Sequence, residues 1–85
     1  EVMAEIEFYT ADWCSDCRRS KSLLDTLGVE YETFDVEKSK ENADKSQAIS
    51  GRHNIPVIKF ADGNFLVEPS DAILHAELKI RGIIA

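Results

Sequence analysis

The sequence predicts an α/β fold, a four-stranded mixed sheet flanked by three helices, and three observations predict it. Apolar residues switch along the chain between alternation, the mark of a strand, and recurrence every three to four positions, the mark of an amphipathic helix. The first two alternating segments are separated by a helical one, so their strands should run parallel by the crossover rule. The last two are joined across Asp62-Gly63, a hairpin turn that makes them antiparallel.

In chain order, "AEIEFYT" (residues 4–10) sets Ile6 and Phe8 on one face of a half-buried first strand. A first helix runs from Cys14 to Leu27, with Leu23, Leu24 and Leu27 at helical spacing and Gly28 where a glycine ends a helix. "VEYETFDVE" (residues 29–37) alternates Val29, Tyr31 and Thr33 with polar neighbours and reads as the second strand. Residues 39–51 read as a polar helix anchored by Ala43, Ala48 and Ile49 and closed by Gly51. "IPVIKFADGNFLVE" (residues 55–68) is the hairpin, with Val57, Ile58 and Phe60 before the turn and Phe65, Leu66 and Val67 after it. Ser70 is a good N-cap for a last helix carrying Ile73, Leu74, Leu78 and Ile80.

At 85 residues the chain is expected to be one domain, residues 1–85, with no room for a second core. Hydrophobic residues at 44% and charged residues at 31% argue against disorder. Sixteen acids against ten bases give a net charge of −6, which argues against a nucleic-acid partner, since phosphate binding needs a basic footprint. No apolar run approaches the roughly 20 residues that span a bilayer, and no signal-peptide pattern opens the chain. A cytoplasmic protein with no membrane partner is therefore expected.

Both cysteines, Cys14 and Cys17, lie three positions apart in "FYTADWCSDCRRSKSLL". A reversible dithiol, half of a metal site and two small core residues are the competing readings. A disulfide across so short a loop would stabilise the fold little, because loop-closure entropy is smallest there. A closed zinc site wants four ligands, and His53 and His75 fall in no ligand pattern with the cysteines, so no metal ligand is assigned. Position favours the dithiol, because the pair falls where the first strand ends and the first helix begins. The first turn of a helix offers unpaired N–H groups and the positive end of its dipole, both of which favour an anion, and the thiolate is the nucleophile in exchange. Spacing of i and i+3 sets both sulfurs on one side of that turn. Cys14, at the more exposed position, is the expected attacking thiol, and Cys17, one turn in, the resolving thiol. Arg18, Arg19 and Lys21 read first as a solvated helix face; their position beside Cys14 keeps open a second reading in which they favour its thiolate, with Asp16 opposing.

With these residues in place, the chain resembles the thioredoxin superfamily, and within it the glutaredoxin-like group, over nearly its whole length. The resemblance rests on "FYTADWCSDC" after the first strand, "NIPVIKF" opening the third, and "DGNFLVEPSDAIL" near the end. It implies the thioredoxin fold, thiol–disulfide exchange without a cofactor, a cis-proline at Pro56 facing the active site, and strand-like pairing of the substrate with the backbone of Ile55. Between the cysteines, glutaredoxins commonly carry Pro-Tyr and thioredoxins Gly-Pro, where this chain has Ser15-Asp16. Trp13, at a strand-to-helix turn directly before the first cysteine, is expected to serve as a docking surface.

Typical glutaredoxins have a Gly-Gly pair before the last helix, then small polar and acidic residues that hold the γ-glutamyl end of glutathione. Here Glu68-Pro69 stands at the glycine positions and Ser70-Asp71 matches the polar pair. Glu68 would repel a carboxylate, and Pro69 has no N–H to offer one. The "EPS" stretch is similar to mycoredoxins, which act on mycothiol mixed disulfides, and to glutaredoxin-like proteins reduced by thioredoxin reductase. The resemblance thus implies an oxidoreductase acting on protein disulfides or mixed disulfides. Its electron donor would be a low-molecular-weight thiol (glutathione or mycothiol) or thioredoxin reductase, and it would act as a monomer. The expected site is Cys14 and Cys17 for the chemistry and Trp13, Ile55, Pro56, Ser70 and Asp71 for the substrate. Two other classes stay open: a carrier of an iron–sulfur cluster bridged between two copies, and a binding module that uses the groove without electron flow.

Overall fold

A computed structural model of the chain describes residues 6–85. Its elements follow the expected order: β1 (Glu7–Thr10), α1 (Ser15–Thr26), β2 (Glu32–Asp35), α2 (Lys40–Ser50), β3 (Val57–Lys59), β4 (Phe65–Val67) and α3 (Asp71–Ile80). The strands form one sheet in the order β2-β1-β3-β4. β1 and β2 are parallel, with Phe8 opposite Thr33, while β3 is antiparallel to both β1 and β4. Ala4 and Glu5, the start of the expected first strand, lie outside the described residues. Among the described residues no helix is long and apolar enough to cross a membrane.

β1 is buried on both faces, not one. Phe8 and Tyr9 point to opposite sides of the sheet, and both are fully buried. On one side Ile6, Phe8, Ile58 and Phe60 pack with Leu24 of α1 and with Leu74 and Leu78 of α3. On the other, the Tyr9 ring stacks on Phe34 at 4.9 Å, and Lys45 of α2 lies over the Phe34 ring. The Tyr9 hydroxyl donates to Glu7 at 2.6 Å. Burial, then that carboxylate, holds the phenol well above its ordinary range.

The second strand begins at Glu32 rather than Val29, because Val29 belongs to the stop signal of α1. Gly28 takes φ +69°, a conformation costly for residues with a Cβ. Its N–H donates to the Asp25 carbonyl at 3.1 Å, and the Val29 N–H donates to the Leu24 carbonyl at 3.0 Å. This is the Schellman arrangement, which satisfies the last carbonyls and folds an apolar residue back onto the helix. Val29 accordingly joins the core beside Leu24. α3 ends in the same way, through Gly82 and Ile83.

Three apolar residues of the expected helices face water. Ala48 of α2 is exposed, and the buried residue of that helix is Ser46. In α3, Ile73 is 56% and Ile80 is 80% exposed. Leu74 and Leu78, one turn apart, define the buried stripe, and at 3.6 residues per turn Ile73 and Ile80 rotate off it.

Ser20 of α1 is fully buried, and its hydroxyl is an orphan, without a hydrogen-bond partner among the described residues. A dry, unpaired hydroxyl costs about 1–3 kcal/mol. Ser20→Ala is therefore expected to stabilise the fold by about 1 kcal/mol, read as a higher urea midpoint at unchanged slope. A lower midpoint would show that the hydroxyl is bonded.

Candidate active site

The turn between β1 and α1 builds the site. Its first backbone bond runs from the Cys14 N–H to the Ala11 carbonyl, 3.2 Å. Cys14 itself is the N-cap of α1, with extended backbone, and its Sγ accepts the Cys17 N–H at 3.1 Å. Serine, threonine and aspartate usually hold that position, through oxygen. Here a sulfur does, so negative charge on it would receive a charge-assisted hydrogen bond at the positive end of the helix. Both cysteines are free thiols.

Cys14 is 6% exposed and Cys17 1%, so Cys14 is the more open of the two, yet far more enclosed than a bare helix start. The cover comes from the segment before β3. The Ile55–Pro56 peptide bond is cis, and the Ile55 carbonyl accepts from the Cys14 thiol at 3.9 Å. Burial, then the contact with the Cys14 sulfur, pushes the Cys17 thiol well above the ordinary range, against the opposite pull of Thr10 and Ala11. The two sulfurs thus differ: Cys14 lines the groove and accepts a helix N–H, while Cys17 lies deeper, where burial favours its protonated form.

Cys14 opens into a groove of about 360 Å³. Its lining comes from the β1–α1 turn (Trp13, Ser15 and Asp16), from the segment before β3 (His53, Asn54 and Ile55) and from Glu68 after β4. Trp13 is 65% exposed, and its indole N–H donates to Glu37 at 3.2 Å. Pro56 is buried behind Ile55. Glu68 takes φ +48°, its N–H donates to the Pro56 carbonyl at 2.9 Å, and its carboxylate accepts from the Asn54 amide at 3.3 Å.

Ser70 and Asp71 are not among the groove's lining residues. The Ser70 hydroxyl accepts the Ile73 N–H at 3.2 Å as the N-cap of α3. Asp71 pairs with Arg19 at 3.3 Å, and the same guanidinium donates to the Pro69 carbonyl at 3.0 Å and to Asp16 at 3.2 Å. Arg19 therefore ties the start of α1 to the start of α3. The basic run of α1 makes the exposed pairings of a solvated helix face. Arg18 donates to the Asp12 carbonyl at 2.8 Å, and Lys21 pairs with Asp25 at 3.1 Å on a part of α1 away from the groove.

Sequence reasoning gave His53 no role, and its one signal was standing two residues before Ile55. Among the described residues no three His, Cys, Asp or Glu side chains gather as metal ligands.

Comparison with known proteins bears on the same stretch. The Glutaredoxin family model matches residues 6–66, which include Trp13, both cysteines and Pro56. A candidate glutaredoxin of Mycobacterium tuberculosis H37Rv is 34% identical over 83 residues, spanning 95% of this chain and 99% of that protein. Glutaredoxin 3 of Escherichia coli K12 is 32% identical over 56 residues, 66% of this chain and 68% of its own length. Among solved structures, a glutaredoxin of Archaeoglobus fulgidus matches with a TM-score of 0.76 at 26% identity, over 87% of this chain and 85% of that one. The match runs through the strand, the cysteine turn and the hairpin alike, and with the β2-β1-β3-β4 sheet it places the chain in the glutaredoxin family, a thioredoxin-fold family of thiol–disulfide oxidoreductase type.

Proposed function

We propose that the chain reduces disulfides of proteins, or mixed disulfides, through a dithiol cycle in which Cys14 attacks and Cys17 resolves. The observation that carries this is the inequality of the two sulfurs: Cys14 caps α1 and lines the groove, while Cys17 sits buried behind it. The Cys14 thiolate displaces one sulfur of the target disulfide, forming a mixed disulfide and releasing a thiolate. Cys17 then loses its proton and attacks Cys14, releasing the second thiolate and leaving a Cys14–Cys17 disulfide. Two electrons have passed from the protein to the target, and a thiol donor or a reductase returns them. The elevated proton affinity of Cys17 keeps it from competing for the first step.

Ile55 would pair its backbone with the substrate chain, Pro56 would support that edge from behind, and Trp13 would flank the bound segment. Ser70 and Asp71 would meet a small thiol donor. Their present engagement in a cap and with Arg19, beside the Glu68 carboxylate, favours a reductase or a mycothiol-type thiol over glutathione, whose carboxylate Glu68 would repel. A reducing compartment such as the cytoplasm suits the free dithiol.

Trapping tests the order of events. In Cys17→Ser, a disulfide-linked peptide should remain covalently attached through Cys14, seen as a one-to-one adduct by intact mass under non-reducing conditions. Absence of the adduct, with the unmodified protein turning the same peptide over, would sink the assignment.

A further inference from the structure

We infer that the disulfides this protein reduces lie in cationic segments, with lysine or arginine beside the target cysteine. The inference rests on the assignment of the groove around Cys14 as the exchange site, and it names the class of substrate that site takes.

The groove has a one-sided charge. Its lining carries two carboxylates, Asp16 and Glu68, and no lysine or arginine. Asp16 shares Arg19 with Asp71. Glu68 is met only by the neutral amide of Asn54, and among the described residues no cation pairs with it. A third carboxylate, Glu37, stands on the indole of the groove residue Trp13. Of the basic side chains nearby, Arg19 is shared among three acceptors and Lys38 pairs with Asp12 and Asp35, while Arg18 bonds a backbone carbonyl and Arg52, beside His53, lies outside the groove's lining.

Glu68 adds a second observation. At φ +48° it occupies the left-handed region, where a glycine would be unstrained and a glutamate is not. Backbone strain of this kind gathers at functional positions. Here it holds a carboxylate that no cation pairs with among the described residues, in the lining shared with Asp16 and Cys14. A segment that brings its sulfur to Cys14 enters a groove lined by both carboxylates. Cationic flanks are drawn in, and acidic flanks are opposed by the same field, an effect on encounter and alignment more than on tight binding.

The experiment uses the full reduced chain and two peptides of equal length. Each carries one cysteine activated as its 2-pyridyl disulfide, one flanked by lysines and the other by glutamates. Release of pyridine-2-thione is followed by absorbance, and each rate is divided by that of 2-mercaptoethanol with the same peptide, which removes intrinsic reactivity. The expected result is a preference of about tenfold for the lysine peptide at about 20 mM salt, shrinking toward unity at about 0.5 M as screening shortens the field. Glu68→Gln keeps side-chain length and an acceptor for Asn54, and it should cut the preference by about threefold. Equal normalised rates at low salt, or a faster glutamate peptide, would overturn the proposal, and an unchanged ratio in Glu68→Gln would overturn the part given to Glu68. If neither peptide is reduced, the exchange assignment itself fails and the proposal falls with it.

Discussion

Replacing Cys14 with serine is expected to abolish disulfide exchange, a fall of more than about a thousandfold in turnover, while leaving the fold intact. Both halves follow from one atom. The Cys14 sulfur is the groove-facing thiol and also the N-cap acceptor of α1, bonded to the Cys17 N–H at 3.1 Å. A serine hydroxyl fills the cap at least as well as sulfur does, so the start of the helix survives. It does not form a disulfide, so the chemistry does not. Cys17 is no substitute: it is 1% exposed, and burial holds its proton on. Turnover of a disulfide peptide, measured beside the thermal midpoint by circular dichroism, reads the two effects separately. Lost turnover at a preserved midpoint is the expected pattern, and surviving turnover would move the attack to another group.

Much of this arrangement was legible in the sequence because it depends on short-range rules. A helix between two alternating segments sets β1 parallel to β2, a turn centred on Ala61-Asp62 and closed by Gly63 sets β3 against β4, and a cysteine pair between strand and helix lands on the helix start. What was hidden depends on which surfaces meet. Alternation assigns Phe8 and Tyr9 to opposite faces but does not say that α2 covers the second one, so β1 read as half-buried. In sequence the last helix carries four large apolar residues, and which of them are buried is settled only by packing, which selects the Leu74–Leu78 stripe and leaves Ile73 and Ile80 exposed. Arg19 read as one cation of a solvated helix face. Instead its partner at Pro69 lies fifty positions away, a contact no local pattern encodes. His53 and Glu68 enter the groove for the same reason: three separate turns converge there, and only the folded sheet brings them together.

The core that brings those turns together gives the largest expected loss of stability. Phe8→Ala is expected to destabilise the fold by about 3–5 kcal/mol. An 85-residue chain has a total stability of only about 4–13 kcal/mol by the usual range per residue, so the variant should be largely unfolded at modest urea. Phe8 sits on β1, a central strand hydrogen-bonded to β2 and β3, with no exposed surface, and its ring meets Tyr31 edge-on at 5.6 Å. Leu24, Ile58, Leu74 and Leu78 belong to the same cluster, so the hole left by the ring borders strand and helices at once and does not collapse from one side. Ile80→Ala supplies the contrast: it also trims an apolar side chain, but at 80% exposure its cost should stay within about 0.5 kcal/mol. Urea unfolding of the two variants beside the parent measures the difference. A Phe8→Ala loss below about 1 kcal/mol would mean that α1 and α3 do not close over β1 as described. The Cys14 turn, which hangs from the end of that strand, would then lack the rigid support its geometry requires.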